Sequence, residues 1–507
     1  MPRNLSKSRL IEFRQCPKRM WLQIHRPEQR QADPDAQARM DIGNEVGALA
    51  RTLLAPDGDG ILFDAQQEGY AAVFERSMVS LQARRPLFEA GFQHGSLFAL
   101  VDALLPTDSP AGWRLVEVKS SASVKDYQRD DLAIQAFILR QAGVQLEAAA
   151  VATIDSTWVY PGGGHYQGLL KQTDLLEEAQ ARDAEVQDWR DAALQVCEQP
   201  EPPSVAMGAQ CSAPFACPYT QHCQAAAGPA DATVTAPIEW LPGHQSSGLR
   251  EFVTTHKPRS MAELPDSLLS PVQRRVKHAT LSNTPWVDRA ALQPLLKGLA
   301  WPLHFLDFEA VQFAIPRWAG TRPFEQIAFQ YSLHTLDSDG PQGRLTHTDF
   351  LDLSGQDPRR PLAEQLARDL GNSRGSVLAY NKGFEGMVLR ALAAQFDDLA
   401  PALKAIEARL VDLLPITRAT YYHPLQQGRW SIKRVLPTIP GQTGYAALGT
   451  VADGQAAVQA YLEAVRLAET DPHQVNHLAQ ALRAYCEKDT AAMVALWKYL
   501  RDVSASA

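Results

Sequence analysis

The stretch Leu303-His-Phe-Leu-Asp-Phe-Glu309 restricts the fold of this chain more than any other. An apolar run of this kind, ending in two acids one residue apart, predicts a buried strand. Side chains alternate faces along a strand, so Asp307 and Glu309 point the same way while Phe308 points into the core. Two carboxylates on one face of a buried strand repel each other and lose solvation, which is costly unless a cation sits between them. An all-oxygen site suits a hard divalent cation, Mg²⁺ or Mn²⁺.

Two carboxylates do not suffice for two ions, so further acids are expected from elsewhere in the chain. Ser376-Val-Leu-Ala-Tyr-Asn381 reads as a strand, and Lys382-Gly-Phe-Glu385 then opens an Ala/Leu-rich helix. Glu385 is therefore expected at the strand's exit, beside the first pair. Leu482-Arg-Ala-Tyr-Cys-Glu-Lys-Asp489 reads as helix, where Tyr485 and Asp489, four apart, share a face. Cys486 reads as a core residue of that helix.

Asp-x-Glu, then Asn-x-x-Phe-Glu, then Tyr-x-x-x-Asp, in that order, resembles the DnaQ-like 3′→5′ exonucleases that carry a tyrosine in the third motif. The resemblance spans roughly the last 210 residues. It implies that Asp307, Glu309, Glu385 and Asp489 hold two metal ions and that Tyr485 orients the attacking water. The family usually has Asp where this chain has Glu385, and the extra methylene would loosen the second metal.

At 507 residues the chain has room for two or three domains, and 45% hydrophobic with 21% charged residues fits globular domains with sizeable cores. No apolar run reaches membrane-spanning length, so no membrane partner is expected. Met1-Pro-Arg-Asn-Leu-Ser-Lys7 has no apolar signal region, which predicts a cytoplasmic protein. A formal net charge of −8 argues against passive coating of nucleic acid, although local basic residues can still grip a strand. Six cysteines in a chain of this length do not suggest a disulfide scaffold.

Cysteine positions suggest a metal centre instead. Cys211-Ser-Ala-Pro-Phe-Ala-Cys217-Pro-Tyr-Thr-Gln-His-Cys223 places three cysteines at even intervals among prolines. Thiolates clustered in this way bind zinc or an iron–sulfur cluster, and spacing alone does not decide between them. The fourth ligand is expected to be Cys16, with Cys197 and His222 as alternatives. Leu5 to Cys16 reads as a helix start that Ser6 can cap. Arg14, Lys18 and Arg19 surround Cys16 and are candidate phosphate contacts, or simply a solvated helix face.

Between these cysteines lies a second constellation. Leu97 to Leu105 reads as a strand, Pro106 to Gly112 as a turn, and Arg114-Leu-Val-Glu117-Val-Lys119 as the returning strand. Glu117 and Lys119 share a face, and hairpin pairing can bring Asp102 beside them. Two acids can hold a divalent ion, and a neighbouring lysine can orient water or neutralise developing phosphorane charge. Asp131 to Leu139 reads as a helix that brings Gln135 to the same place.

Asp102, Glu117-x-Lys119 and Gln135 resemble the PD-(D/E)XK nuclease core. With the four cysteines, they resemble the RecB-like nucleases that carry a 4Fe–4S cluster, over roughly residues 1–225. The resemblance implies metal ligation by Asp102 and Glu117, with Lys119 and Gln135 completing the site. Many members also ligate metal through a histidine on an upstream helix, where this chain offers Glu45; Glu89 is another candidate acid. Leu139 stands where members often have tyrosine, and the cysteine spacing is looser than the common Cys-x-x-Cys form.

The sequence thus predicts an α/β protein in three parts. Residues 1–225 would form a restriction-endonuclease-like domain and 226–295 a linker with a few short helices. Residues 296–507 would form a mixed-sheet domain of the ribonuclease H-like kind. Within the last part, Gln326 to His334 and Leu345 to Phe350 read as strands and Arg359 to Leu370 as a helix. Gly428-Arg-Trp-Ser-Ile-Lys433-Arg-Val-Leu436 reads as a further helix whose Arg429, Lys433 and Arg434 could meet a nucleic-acid backbone. Trp430, Phe384 and Tyr380 are each either buried or free to stack on a base.

The whole arrangement resembles a bacterial family that fuses an iron–sulfur RecB-like domain to a DnaQ-like one. The implied function is a metal-dependent nuclease with two centres, acting on single-stranded ends in DNA repair or defence, with DNA favoured over RNA. The alternatives are a nucleic-acid-binding scaffold with one or both centres degenerate, and an RNA-trimming exonuclease. No signal for a particular protein partner is present.

Overall fold

The computed structural model describes residues 4–33, 36–226, 236–340, 342–445, 449 and 451–505. The protein is mixed α/β and divides into two compact units. One comprises Met1–Ala230 with Phe313–Glu325, the other Asp231–Gln312 with Gln326–Ala507. Among the described residues no helix is long and apolar enough to cross a membrane.

The first unit is built on a seven-stranded mixed sheet. Its strands are β1 (Leu5–Ser6), β2 (Ile61–Leu62), β3 (Leu87–His94), β4 (Leu97–Pro106), β5 (Gly112–Val118), β6 (Gln145–Ile154) and β7 (Leu170–Asp174). Strands β3, β4 and β5 form an antiparallel meander, and β6 joins β5 in parallel through the helix Asp126–Gln141. Every residue of that helix from Leu132 to Leu139 is buried, which explains its near-continuous apolar sequence. Its start is held by the Gln128 side chain, which accepts the backbone N–H of Lys125 at 2.9 Å.

Strand β4 changes neighbours partway along. Leu97 and Phe98 pair in parallel with Leu5 and Ser6 of β1, whereas Ala103 to Pro106 pair with β5. Asp102 sits at this changeover. The helix Lys7–Gln15 leaves β1 at the same level, with Ser6 as its N-cap accepting from the Arg9 N–H. Lys7 is thereby delivered beside Glu117 and Asp131.

The second unit holds a five-stranded sheet in the order β11-β10-β9-β12-β13. Here β9 is Leu303–Val311, β10 Ile327–Leu336, β11 Leu345–Leu351, β12 Val377–Ala379 and β13 Leu410–Asp412. The first three strands are antiparallel, and β12 and β13 run parallel to β9. The central strand, β9, carries Asp307 and Glu309. The helix Gly383–Gln395 follows β12, and the long C-terminal helix Pro472–Ala505 packs on β9 and β10. A two-stranded ribbon of β8 (Trp286–Val287) and β14 (Tyr421–Tyr422) lies outside this sheet.

Three expectations change in detail. Residues 236–295 do form short helices, among them Ser247–His256 and Pro271–Ser282. They are not a free linker, because Ile238, Leu249, Met261 and Val276 share a core with Tyr422 and Trp430. The helix expected from Gly428 begins only at Ile432 and covers Ile432–Val435. Gly428 has φ +73°, and a Cβ there would lie 1.5 Å from the Trp240 carbonyl oxygen, so this position is a tight loop against another segment. The strand after Ser376 is short, because Asn381 turns left-handed at φ +72°.

Candidate active sites in the two units

In the second unit the motifs converge. Asp307 and Glu309 share a face of β9, facing Ser332 and Gln330 of β10 in register. Asp489 and Tyr485 arrive on the C-terminal helix, and Glu385 arrives in the first turn of the helix after β12. The turn that delivers Glu385 is held by Asp412 at the end of β13. Its carboxylate accepts the backbone N–H groups of Asn381 at 2.9 Å and Lys382 at 3.2 Å.

These carboxyls feel one another. Burial first, then the charges of Asp489, Glu309 and Glu385, push Asp307 well above the usual carboxylate range. Burial and Asp489 push Glu309 up to about 8, against the pull of Lys433. Burial, with Asp412, pushes Glu385 up to about 7. Asp489 is raised by burial, although the Tyr445 hydroxyl, which donates to its Oδ1 at 2.6 Å, works the other way together with Lys433 and Tyr485.

Ligand atoms of Asp307, Glu309 and Cys486 lie within 4.8 Å of one another, a tight group that leaves out Glu385 and Asp489. Cys486 is fully buried, as a core residue should be. Its Sγ also lies 3.8 Å from Asp307 Oδ2, inside the acidic group. Glu385 Oε2 is buried without a hydrogen-bond partner. An orphaned carboxylate oxygen beside a repelling acid pair is what a hard cation would satisfy, so the donor set fits Mg²⁺ or Mn²⁺.

Lys433 differs from its expected role. Its ammonium lies over the rings of Tyr445 (5.2 Å) and Tyr485 (5.0 Å) and donates to the Ala452 carbonyl at 2.9 Å. It serves the acids rather than standing out for a strand, whereas Arg429 and Arg434 are exposed. Trp430 is buried with its Nε1 donating to the Tyr421 carbonyl, and Tyr380 donates to the Trp430 carbonyl. Phe384 packs against the core. Tyr445 escaped the sequence reading, because nothing in the residues around it marks a partner for Asp489.

In the first unit Asp102, Glu117, Lys119 and Gln135 also come together. Asp102 Oδ2 accepts the Val118 backbone N–H at 2.7 Å. Gln135 Nε2 donates to Glu117 Oε2 at 2.8 Å and to Asp131 Oδ1 at 3.1 Å, and Lys119 Nζ donates to Glu117 and to Asp131 at 2.9 Å. Gln135 Oε1 is buried without a partner.

Two members of this group were not expected. Lys7 Nζ donates to Glu117 Oε1 at 2.9 Å and lies 3.3 Å from Asp131. Burial opposes the charge of Lys7, yet Asp131 and Glu117 outweigh it and raise its pKa; Lys119 is raised the same way. Burial and Asp102 push Glu117 up, but Lys119 and Lys7 outweigh both and hold it below its usual range. Asp131 could have been read from its place four residues before Gln135 on one helix face. Lys7 had no such signal.

Glu89 lies in β3 and, with the register carried one residue further, faces Asp102. Its φ of +56° is strained for a non-glycine residue, and such strain clusters at functional sites. Glu89 and Asp102 line a cavity of about 400 Å³ together with Asn44 and Arg51. Glu45 does not line it. On the helix Ala36–Leu54 the face formed by Asn44, Gly47 and Arg51 meets the cavity, and Glu45 is exposed one step round. The acid set fits one hard cation at Asp102 and Glu89, because Glu117 is already compensated by two ammoniums.

Cys16, Cys211, Cys217 and Cys223 line one small cavity, along with Lys18 and Arg19. Neither Cys197, buried in the helix Asp183–Glu198, nor His222 lines it, so Cys16 is the fourth member. Burial raises the thiol pKa of Cys217 and Cys223, while Arg19 and Lys18 respectively oppose that rise. These two basic residues therefore face the thiols. Arg14 is turned elsewhere, pairing with Asp130 at 3.3 Å and stacking on Trp189 at 4.0 Å.

A family profile described as "Domain of unknown function (DUF2779)" matches residues 304–431. No curated protein matches the chain.

Proposed function

We propose that the chain is a metal-dependent nuclease whose principal centre is the acid cluster of the second unit, a DnaQ-like 3′→5′ exonuclease site acting on single-stranded ends. One observation carries this reading: Asp307 is buried and repelled by three further acids, Glu309 from its own strand and Glu385 and Asp489 from two helices. Such a group is destabilising without a cation, so its assembly needs a purpose other than stability. The sheet order, with three antiparallel strands and two parallel ones beside the acid-bearing strand, supports a ribonuclease H-like fold.

Asp307, Glu309, Glu385 and Asp489 would hold Mg²⁺ or Mn²⁺, which when bound activates water and stabilises charge on the scissile phosphate. Tyr485 stands beside Asp489 to orient that water, and Tyr445 holds the Asp489 carboxylate in place. Lys433 balances part of the acid charge before substrate arrives.

The first unit is proposed as a RecB-like PD-(D/E)XK domain with Asp102, Glu89, Glu117, Lys119 and Gln135 at its centre. Its cysteines are proposed to hold a 4Fe–4S cluster. Zinc is the alternative occupant of these four thiolates, which line one small cavity. A second cavity of about 250 Å³ is lined by Lys119, Asp131, Tyr127 and Arg19, and Arg19 also faces the thiols. Nucleic acid held there would meet the catalytic lysine and the cluster domain together. A second reading is favoured by Lys7: with Glu117 already neutralised, this centre would bind DNA without cutting it.

The test is degradation of end-labelled single strands of DNA and of RNA in Mg²⁺ or Mn²⁺. Asp307→Asn is expected to abolish 3′-end trimming, and Lys119→Met to leave it intact. Unchanged trimming by Asp307→Asn would refute the assignment. A residual activity lost only in Lys119→Met would establish the first centre as active, and its absence would favour the binding role.

A further inference from the structure

We propose that His334, His347 and Glu487 form a binding site for one divalent transition-metal ion of the zinc class, separate from the acid cluster. His334 on β10 and His347 on β11 are directly opposite in register, and Glu487 comes from the C-terminal helix. One nitrogen of each histidine and one carboxylate oxygen of Glu487 lie within 4.8 Å of one another. His347 Nδ1 is 3.9 Å from Glu487 Oε1.

The surrounding hydroxyls fix which nitrogens are free. Thr490 Oγ1 lies 3.0 Å from the Glu487 carbonyl, which can only accept, so Thr490 spends its single proton there. Its oxygen must then accept from both other neighbours, Ser332 Oγ at 2.7 Å and His334 Nδ1 at 2.8 Å. Ser332 has therefore spent its own proton, and its oxygen accepts from His347 Nε2 at 2.9 Å. The tautomers follow: His334 carries its proton on Nδ1 and His347 on Nε2. Each leaves a bare lone pair, on His334 Nε2 and on His347 Nδ1. Two imidazoles held by hydroxyls with their other nitrogens unprotonated is the outer-shell arrangement of metal-ligating histidines.

Two imidazoles and one carboxylate select a borderline cation over Mg²⁺ or Ca²⁺. Metal–ligand bonds of about 2.0–2.1 Å would draw the three ligand atoms closer together, and the exposed Glu487 side chain is free to supply that movement. Three protein ligands leave the fourth tetrahedral position to water. The ion would pin the C-terminal helix, which also carries Tyr485 and Asp489, to the edge of the sheet. The site stands whether or not the acid cluster is a nuclease centre.

The test is zinc bound per chain after equilibration of the full-length protein with excess Zn²⁺ and desalting. Glu487→Gln and His347→Ala are each expected to bind one equivalent less than wild type. Ser332→Ala, which frees the His347 tautomer, is expected to weaken that equivalent about tenfold. Glu487 is exposed, so Glu487→Gln decides the matter even if His347→Ala fails to fold. Equal zinc in wild type and Glu487→Gln overturns the proposal.

Discussion

The acid cluster predicts how the metal-free protein responds to pH. An unfolded glutamate titrates near 4.3, whereas the folded chain holds Glu309 at about 8 and Glu385 at about 7. The folded form therefore binds these protons more tightly than the unfolded one. Their stabilising contribution is complete below about pH 4 and is lost as pH rises through 7 and 8. Each group changes stability by about 1.4 kcal/mol per pH unit while it keeps its proton only in the folded state. From pH 6 to 8, Glu309 does so over two units and Glu385 over one, which makes at most about 4 kcal/mol. At about 2 °C per kcal/mol for a unit of this size, the melting midpoint falls by about 8 °C. Mn²⁺ at a hundred times its Kd returns about 2.7 kcal/mol, most of the loss at pH 8. Glu309→Gln removes the larger share of the fall. The assay is thermal unfolding of chelated protein at pH 6, 7 and 8, with and without Mn²⁺. A wild-type midpoint that does not move, or a Glu309→Gln variant that falls as far as wild type, would refute the reasoning.

Three further outcomes are expected. Tyr445→Phe removes the 2.6 Å hydrogen bond to Asp489, so 3′-end trimming should fall about tenfold while urea unfolding shifts by no more than about 1.5 kcal/mol. Lys7→Met leaves Glu117 and Asp131 without one of their two ammoniums, and urea unfolding of the first unit should be destabilised by about 3–5 kcal/mol. Cys16→Ser should abolish the visible absorbance of anaerobically purified protein, with Cys197→Ser leaving it unchanged; a colourless wild type containing zinc would overturn the iron assignment.

What the sequence revealed follows from how local each signal is. The hairpin carrying Asp102 and Glu117 was legible because alternation and a Pro/Gly turn fix its register within some twenty residues. Asp307 and Glu309 were legible because a strand's period of two decides their faces. Glu45 failed for a comparable reason: one residue is 100° on a helix, so a neighbour of the cavity-lining Asn44 points away from it. Tyr445 meets its partner 44 residues away, and no periodicity marks such a contact. The start of the helix at Ile432 was misplaced because Gly428 answers to the Trp240 backbone, a long-range constraint invisible in its own neighbourhood.

The two acid groups solve one electrostatic problem in opposite ways, and this bears on what each can do. In the first unit, Lys7 and Lys119 enter the group, and Glu117 is held below its usual range. In the second, Lys433 is the one cation opposing Glu309 and Asp489 among their main influences, and the acids stay raised. A cation entering the second group relieves repulsion that Lys433 leaves standing, whereas one binding at Glu117 in the first must displace an ammonium already bonded at 2.9 Å. Divalent ions should therefore raise the melting midpoint of the second unit far more than that of the first. Lys7→Met should partly reverse this by vacating a cation's place beside Glu117, making the first unit's stability respond to Mn²⁺ more than the wild type's does. No gain in Mn²⁺ response in Lys7→Met would mean that this lysine is a structural strut and that the first centre takes its metal, if at all, through Glu89 and Asp102 alone.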